Sequence, residues 1–330
     1  IGKILANISL YNISFILQQL FCLLKAWILL YTIYKIEKQI FEAYMKKKNL
    51  LYLLLPIFLI ALIFAVRYQN QEVVDYNSKS VFVYNLTNNK KVTGYNEDEK
   101  LPMASLTKIM TCLVSIENID DLSATAPIDT ESYQRLVKEN ASMAGFFGGE
   151  TTTYRDLLYG AMLPSGGEAS DSLAINISDS TLDFVGLMND KAKELNLSNT
   201  HFQNVDGMDE IGHYSSAKDI AMLLKYALDN ENFRAVFTKK EYTSTQTADH
   251  PEGLYMQSTI FKHLDAYKQD GFEIIGGKSG TTDKAGLCWA TLATKNGKEY
   301  IIVTMGAPYE DINDPGDGQI KDTLDILERL

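Results

Sequence analysis

The stretch LPMASLTKIM, residues 101–110, sets a serine hydroxyl and a lysine amine three positions apart, at Ser105 and Lys108. On a helix, residues at that spacing share a face. A serine hydroxyl is a weak nucleophile until a neighbour takes its proton. A lysine can take it when burial or nearby cations hold the amine neutral. Free backbone N–H groups at a helix start can also stabilise a developing oxyanion. S-x-x-K is common by chance, so on this stretch alone an incidental surface pair stays open.

Two later stretches bear on it. MLPSGGEAS puts Ser165 in a loop whose glycines let a substrate approach the backbone closely. IIGGKSGTT puts Lys278 on a strand of glycines and small hydroxyl residues, an edge against which an extended peptide could lie with its terminal carboxylate facing the lysine. Other chemistries lack support. The histidines His201, His213, His250 and His263 are scattered without zinc-ligand spacing, so neither a metal nor another cofactor is expected. A net charge of −11 argues against a nucleic-acid partner, which needs a basic face. Cys22, Cys112 and Cys288 make no disulfide framework; Cys112 and Cys288 could pair outside the cell, and two buried free thiols is the preferred reading.

The elements that must position these groups follow from periodicity. SVFVYNLTNNKKVTGYN shows two β-rich runs around an Asn-Asn turn. After Pro102, Leu106, Ile109, Met110, Leu113 and Val114 recur at helical spacing and predict a buried helix whose first turn holds Ser105 and Lys108. Residues 126–232 read as mostly helical, and beyond residue 270 strand character returns with an Asn-Gly hairpin at 296–297 and a closing amphipathic helix. Strands at both ends with helices between predict an α/β (α+β) sandwich: one antiparallel sheet drawn from both ends of the domain, flanked by a mainly helical subdomain.

Ahead of this domain, residues 50–66 form an uncharged apolar run preceded by Lys46, Lys47 and Lys48 and followed by Arg67. Its length approaches that needed to span a bilayer, and the basic flank favours an N-terminus on the cytoplasmic side. Residues 45–67 are therefore expected to be an uncleaved signal anchor in a membrane, with a removed signal peptide as the alternative. Residues 68–79 would be a linker and residues 80–330 the extracytoplasmic domain. Residues 1–44 read as an extension ahead of a natural start at Met45, or as a further membrane segment around residues 20–34.

The three motifs in order, S-x-x-K at Ser105, Ser-Gly-Gly at Ser165 and Lys-Ser-Gly at Lys278, resemble those of the active-site serine penicillin-recognising enzymes. Within them the chain is most similar to the low-molecular-mass penicillin-binding proteins that act as D-Ala-D-Ala carboxypeptidases. LPSGGEAS, NLSNTHFQNVDGMDEIGHYSSAKDIA and GGKSGTTDKAG carry the likeness over roughly residues 80–330.

The resemblance implies a β-lactamase/transpeptidase-like fold and a serine carboxypeptidase. Its substrates would be peptidoglycan stem peptides ending in D-Ala-D-Ala, and β-lactam antibiotics would act as acylating inhibitors. By the same resemblance Ser105 attacks, Lys108 takes its proton and Ser165 relays a proton to the leaving D-alanine. Lys278 and Ser279 hold the substrate carboxylate, backbone N–H groups of Ser105 and Thr281 form the oxyanion hole, and Gly280 and Gly167 belong to the substrate-binding surface.

The chain departs from the family pattern at Gly167, where the second motif usually ends in an asparagine that contacts the substrate amide and the catalytic lysine. Ser279 in place of threonine keeps the hydroxyl. Two rival readings are a serine β-lactamase and an acylated, slow-turnover sensor. The first would need a glutamate where AKELN has Ala192, and Glu194 stands two positions late. Glu168 is expected to be a solvated carboxylate at a helix start, His213 a loop anchor, and Asp283 and Lys284 part of a cleft rim. AGFFGGE, residues 144–150, would either cover the cleft or pack in the core.

Overall fold

The computed structural model describes residues 25, 27–40, 60, 75–311 and 315–330. They divide into two compact units, Ile1–Val74 and Asp75–Leu330. In the first, residues 27–40 are helical. Among the described residues no helix is long and apolar enough to cross a membrane. The expected anchor at 45–67 lies, Ile60 apart, outside the described residues, as do residues 20–24 and 26 of the alternative segment and residues 68–74 of the expected linker.

The second unit begins by tying its own start to its end. The backbone N–H groups of Asn77 and Ser78 both donate to the buried Asp322 carboxylate, at 3.0 and 2.7 Å. Strands β1 (Ser80–Asn85) and β2 (Lys90–Tyr95) form the expected hairpin, with Asn89 taking the positive φ of its turn. A 3-10 turn (Ala104–Leu106) runs into α1 (Thr107–Asn118). Every residue of α1 from Thr107 to Ile116 is buried, as expected of a helix apolar around most of its circumference.

The middle of the chain is helical where apolar residues recur at three and four. It comprises β3 (Thr125–Pro127), α2 (Thr130–Lys138), β4 (Thr151–Thr153), α3 (Tyr154–Met162), α4 (Gly167–Ser178), α5 (Thr181–Glu194), α6 (Ala217–Ala227) and α7 (Glu231–Phe237). A small hairpin, β5 (Glu241–Thr243) with β6 (Tyr255–Gln257), and α8 (Thr259–Leu264) lead back to the sheet. There β7 (Phe272–Thr282), β8 (Gly286–Lys295) and β9 (Lys298–Ala307) precede α9 (Gly318–Arg329). Asn296 and Gly297 both have positive φ, the pairing that a tight two-residue hairpin between right-twisted strands demands.

The main sheet is antiparallel, in the order β2-β1-β9-β8-β7. The expected union of the two ends of the domain is the pairing of β1 with β9, from Ser80↔Met305 to Asn85↔Tyr300. Side chains alternate between faces with the two-residue period of a strand. Phe82, Tyr84, Ala290, Leu292, Ile301 and Val303 join the helical core around α1. Val81, Val83, Trp289, Tyr300 and Ile302 pack with α8 and α9 on the other face. The site is built where the 3-10 turn lies against β7.

Candidate functional site

Ser105, expected in the first turn of the helix, instead occupies the 3-10 turn, two residues ahead of Thr107 where α1 begins, and Lys108 is in the first turn of α1. Lys108 Nζ is 3.2 Å from Ser105 Oγ and also donates to the carbonyl of Asp206. Only 2% of Lys108 is exposed. Burial pushes its amine below the usual lysine range, opposed by the carboxylates of Asp206, Asp171 and Glu168. A lysine so placed can be neutral enough to accept a proton from a hydroxyl.

Two backbone features hold Ser105 in place. Ala104, just before it, has φ +47, an uncommon conformation for a residue with a side chain, of the kind that surrounding structure must enforce. The loop at Gly207 enforces it by close approach, since a Cβ on Gly207 would stand 2.2 Å from the Ala104 carbonyl oxygen. On the other side β7 passes so near that a Cβ on Gly280 would lie 2.9 Å from the backbone nitrogen of Ser105 and 3.2 Å from that of Leu106. The third motif needs glycine there for that contact.

A cavity of about 410 Å³ opens over this junction, and its walls include Ser105, Lys108, Gly167 and Thr281. Ser142, Asp206 and Asp283 also line it. The remaining residues singled out in the sequence stand behind that surface. Lys278 is completely buried and donates to the Ser279 carbonyl at 2.8 Å. Burial and the neighbouring Lys108 push its amine well down. The lysine expected against the substrate carboxylate is thus enclosed beside Lys108 instead of lining the cavity. Ser279 shares a 2.7 Å hydrogen bond with Thr259. Ser165 is buried between α3 and α4 at φ +69, and its Oγ has no hydrogen-bond partner among the described residues.

Gly167 begins α4, and its N–H donates to the Ser142 carbonyl at 2.8 Å. A Cβ here would come within 3.1 Å of Leu136 and 3.4 Å of the Ser142 oxygen. The absent asparagine has a packing counterpart, because α2 and the segment after it crowd the space its side chain would enter.

Glu168 corrects an expectation. Far from solvated, it is fully buried, and its Oε1 accepts the N–H groups of Ala144, Gly145 and Phe146 at 2.7, 2.8 and 3.3 Å. Burial pushes its carboxyl up against the opposing effect of these bonds. The AGFFGGE stretch that it holds divides its two aromatics: Phe146 is in the core, and Phe147 is half exposed and stacked on His250.

His213 anchors a loop, as expected. Its Nδ1 accepts from the Gln203 N–H at 3.0 Å, leaving Nε2–H to donate to Thr107 Oγ1 at 2.7 Å, and Thr107 in turn donates to the Ala104 carbonyl. Lys284 N–H and Thr282 Oγ1 both bind Asp209, which fastens the rim. Cys112 and Cys288 are free, buried thiols, each pushed up to about 12 by burial. Among the described residues no cluster of potential metal ligands occurs.

The sequence reading missed Asp206, which fixes Lys108, and the pair Arg135–Asp171 beside it. The Asp206-Gly207 dipeptide was an available signal, since it is a turn former, and Gly207 takes φ +90 here. Arg135 and Asp171 gave none, because a charged residue on a helix reads as a solvated face.

Residues 66–309 match the family model described as Peptidase_S11, D-alanyl-D-alanine carboxypeptidase. A D-alanyl-D-alanine carboxypeptidase of Bacillus subtilis, DacF, is 33% identical over 236 residues, which are 70% of this chain and 58% of that protein. A D-alanyl-D-alanine carboxypeptidase of Streptomyces sp. strain K15 is 31% identical over 233 residues, 68% of this chain and 79% of that one. The crystal structure of the Streptomyces K15 DD-transpeptidase superimposes with a TM-score of 0.67 at 28% identity, covering 77% of this chain and 97% of that one. The chain thus spans little more than half the length of its Bacillus relative.

Proposed function

The chain belongs to the D-alanyl-D-alanine carboxypeptidase family, and from that membership we propose that it is a serine D-Ala-D-Ala carboxypeptidase acting on peptidoglycan stem pentapeptides. The observation that carries this reading is the buried Lys108 amine 3.2 Å from Ser105 Oγ at the wall of an open cavity.

In the proposed reaction Ser105 Oγ attacks the carbonyl carbon of the penultimate D-alanine while Lys108 takes the hydroxyl proton. The backbone N–H groups of Ser105 and Thr281 receive the oxyanion, at the junction that Gly280 permits. Collapse breaks the peptide bond. The leaving D-alanine nitrogen takes up a proton through Ser165, whose hydroxyl has no hydrogen-bond partner among the described residues. Water then attacks the ester, Lys108 accepts its proton, and Ser105 is regenerated. Lys278, buried on β7 beside Lys108, would attract the substrate carboxylate when it carries its proton, and Thr281 offers a hydroxyl at the cleft wall with Ser279 two residues before it on the same strand. β-Lactams, which present a strained amide in the same position, would acylate Ser105.

Residues 45–67 would retain the protein in the bacterial cell membrane with the catalytic domain on the cell-wall side. The charge asymmetry of Lys46–Lys48 against Arg67 supports this placement.

The test is release of free D-alanine from a pentapeptide ending in D-Ala-D-Ala. Release by the wild type and none by Ser105→Ala is the expected result. Stoichiometric labelling by a fluorescent penicillin with no D-alanine release would favour a slow-turnover sensor. For the anchor, fractionation of cells expressing the full chain should place it in the membrane, and loss of residues 45–67 should release it.

A further inference from the structure

Arg135 belongs to none of the three motifs, yet it is wired to the catalytic lysine. From α2 its Nη2 donates to Asp171 Oδ2 on α4 at 2.6 Å and stands 3.7 Å from Asp206 Oδ2. Its Nη1 holds Glu139, one turn further along, at 2.7 Å. The side chains of Asp171 and Asp206 are 2% and 5% exposed, whereas that of Arg135 is 44% exposed. The guanidinium therefore closes, from the solvent side, over two nearly buried carboxylates. Asp206 also carries the carbonyl that accepts from Lys108, and its Oδ1 accepts the Met208 N–H at 3.0 Å.

We propose that Arg135 is a positioning residue for the reaction of Ser105: by bridging Asp171 and Asp206 it holds the Asp206 carbonyl on the Lys108 amine and sets the pH at which that amine becomes a base. This rests on the function proposed above.

The charged and titratable groups that face Lys108 come from every side. Asp206 lies on the loop between α5 and α6, Asp171 and Glu168 on α4, Lys278 on β7 and Cys112 on α1 itself. His213, hydrogen-bonded to Thr107, also faces Lys108, whose positive charge disfavours its protonation. Two buried carboxylates left alone would hold a proton on Lys108 and repel each other. Burial and Asp206 push Asp171 up, and Arg135 opposes them. An arginine suits this task because its planar fork can serve both carboxylates and stays charged at any working pH.

The experiment is the pH profile of acylation of the full chain by a fluorescent penicillin, with thermal unfolding measured alongside. Arg135→Gln is expected to move the acid limb to higher pH by about 0.5 unit or more, which is about threefold in rate on that limb. Arg135→Lys should recover part of the wild-type limb, and Asp171→Asn should move it the opposite way. A limb within about 0.2 unit of wild type in folded Arg135→Gln overturns the proposal, whatever the effect on stability. If Arg135→Gln does not fold, Asp171→Asn decides: an acid-ward shift supports the proposal and an unmoved limb overturns it. A wild-type chain that is not acylated at any pH would instead overturn the proposed function, and this inference with it.

Discussion

Lys108 Nζ stands 3.2 Å from Ser105 Oγ and donates at the same time to the Asp206 carbonyl, so the amine proposed to activate Ser105 is itself fixed from behind. Burial favours its neutral form. Acylation should rise with pH through a lysine pKa below the usual value and level off above it. Lys108→Arg keeps the positive charge but cannot give up its proton, so acylation should fall by about 10²-fold or more at every pH. Single-turnover labelling with a fluorescent penicillin measures both effects.

Gly280→Ala tests the junction of β7 with the 3-10 turn. Its new methyl group would meet the backbone nitrogens of Ser105 and Leu106 at 2.9 and 3.2 Å. Neither is the end of a flexible side chain, so the strand must move away from the nucleophile. A stability loss of about 1–3 kcal/mol is expected. Because the N–H of Thr281 moves with the strand, acylation should fall by about 10-fold or more. Full activity with lowered stability would place the oxyanion donors elsewhere.

His213 predicts a pH dependence of stability. Burial lowers its pKa to about 4, against an ordinary 6.5 in the unfolded chain. The unfolded chain therefore takes up the proton first as pH falls. The contribution of neutral His213 is fully present above about 6.5 and is lost as pH drops toward 4; the whole separation is worth about 3 kcal/mol. Urea denaturation between pH 7 and pH 4 should show this slope, and His213→Gln should lack that part of it.

Glu168 predicts an asymmetry between two substitutions. Glu168→Ala would strip the acceptor from three backbone N–H groups in the 144–146 segment and cost about 3 kcal/mol. Glu168→Gln keeps an amide oxygen where Oε1 now sits, so it should cost about 1 kcal/mol or less. Equal losses in urea midpoints would mean that the negative charge, rather than the acceptor, holds the loop.

What the sequence made legible is local or periodic: both hairpins, the buried helix of Lys108, and the return of the chain's end to β1. The Asn-Asn and Asn-Gly turns advertise their positive φ through residue type. The motif residues were found, but not their depth. Lys278 and Glu168 are charged, and charge ordinarily means solvent. Their burial depends on partners that are remote in sequence or belong to the backbone, such as the 144–146 N–H groups. Arg135, Asp171 and Asp206 meet across two helices and a loop, a relation with no sequence period. The missing asparagine at Gly167 became intelligible through Leu136, a side chain from another helix.

The pairing of β1 with β9 has a cost in time. Ser80 and Met305 are partners more than 200 residues apart, so the N-terminal hairpin emerges long before the strand that completes it. During synthesis or export it would present Val81, Phe82 and Val83 as an unsatisfied edge, the kind of segment that invites aggregation. High contact order of this sort slows folding. Ser105 and Lys108, the proposed nucleophile and base, precede the start of β7 by more than 150 residues. The proposed site is complete only when β7, β8 and β9 have arrived, so a nascent chain lacking those strands should be chemically silent.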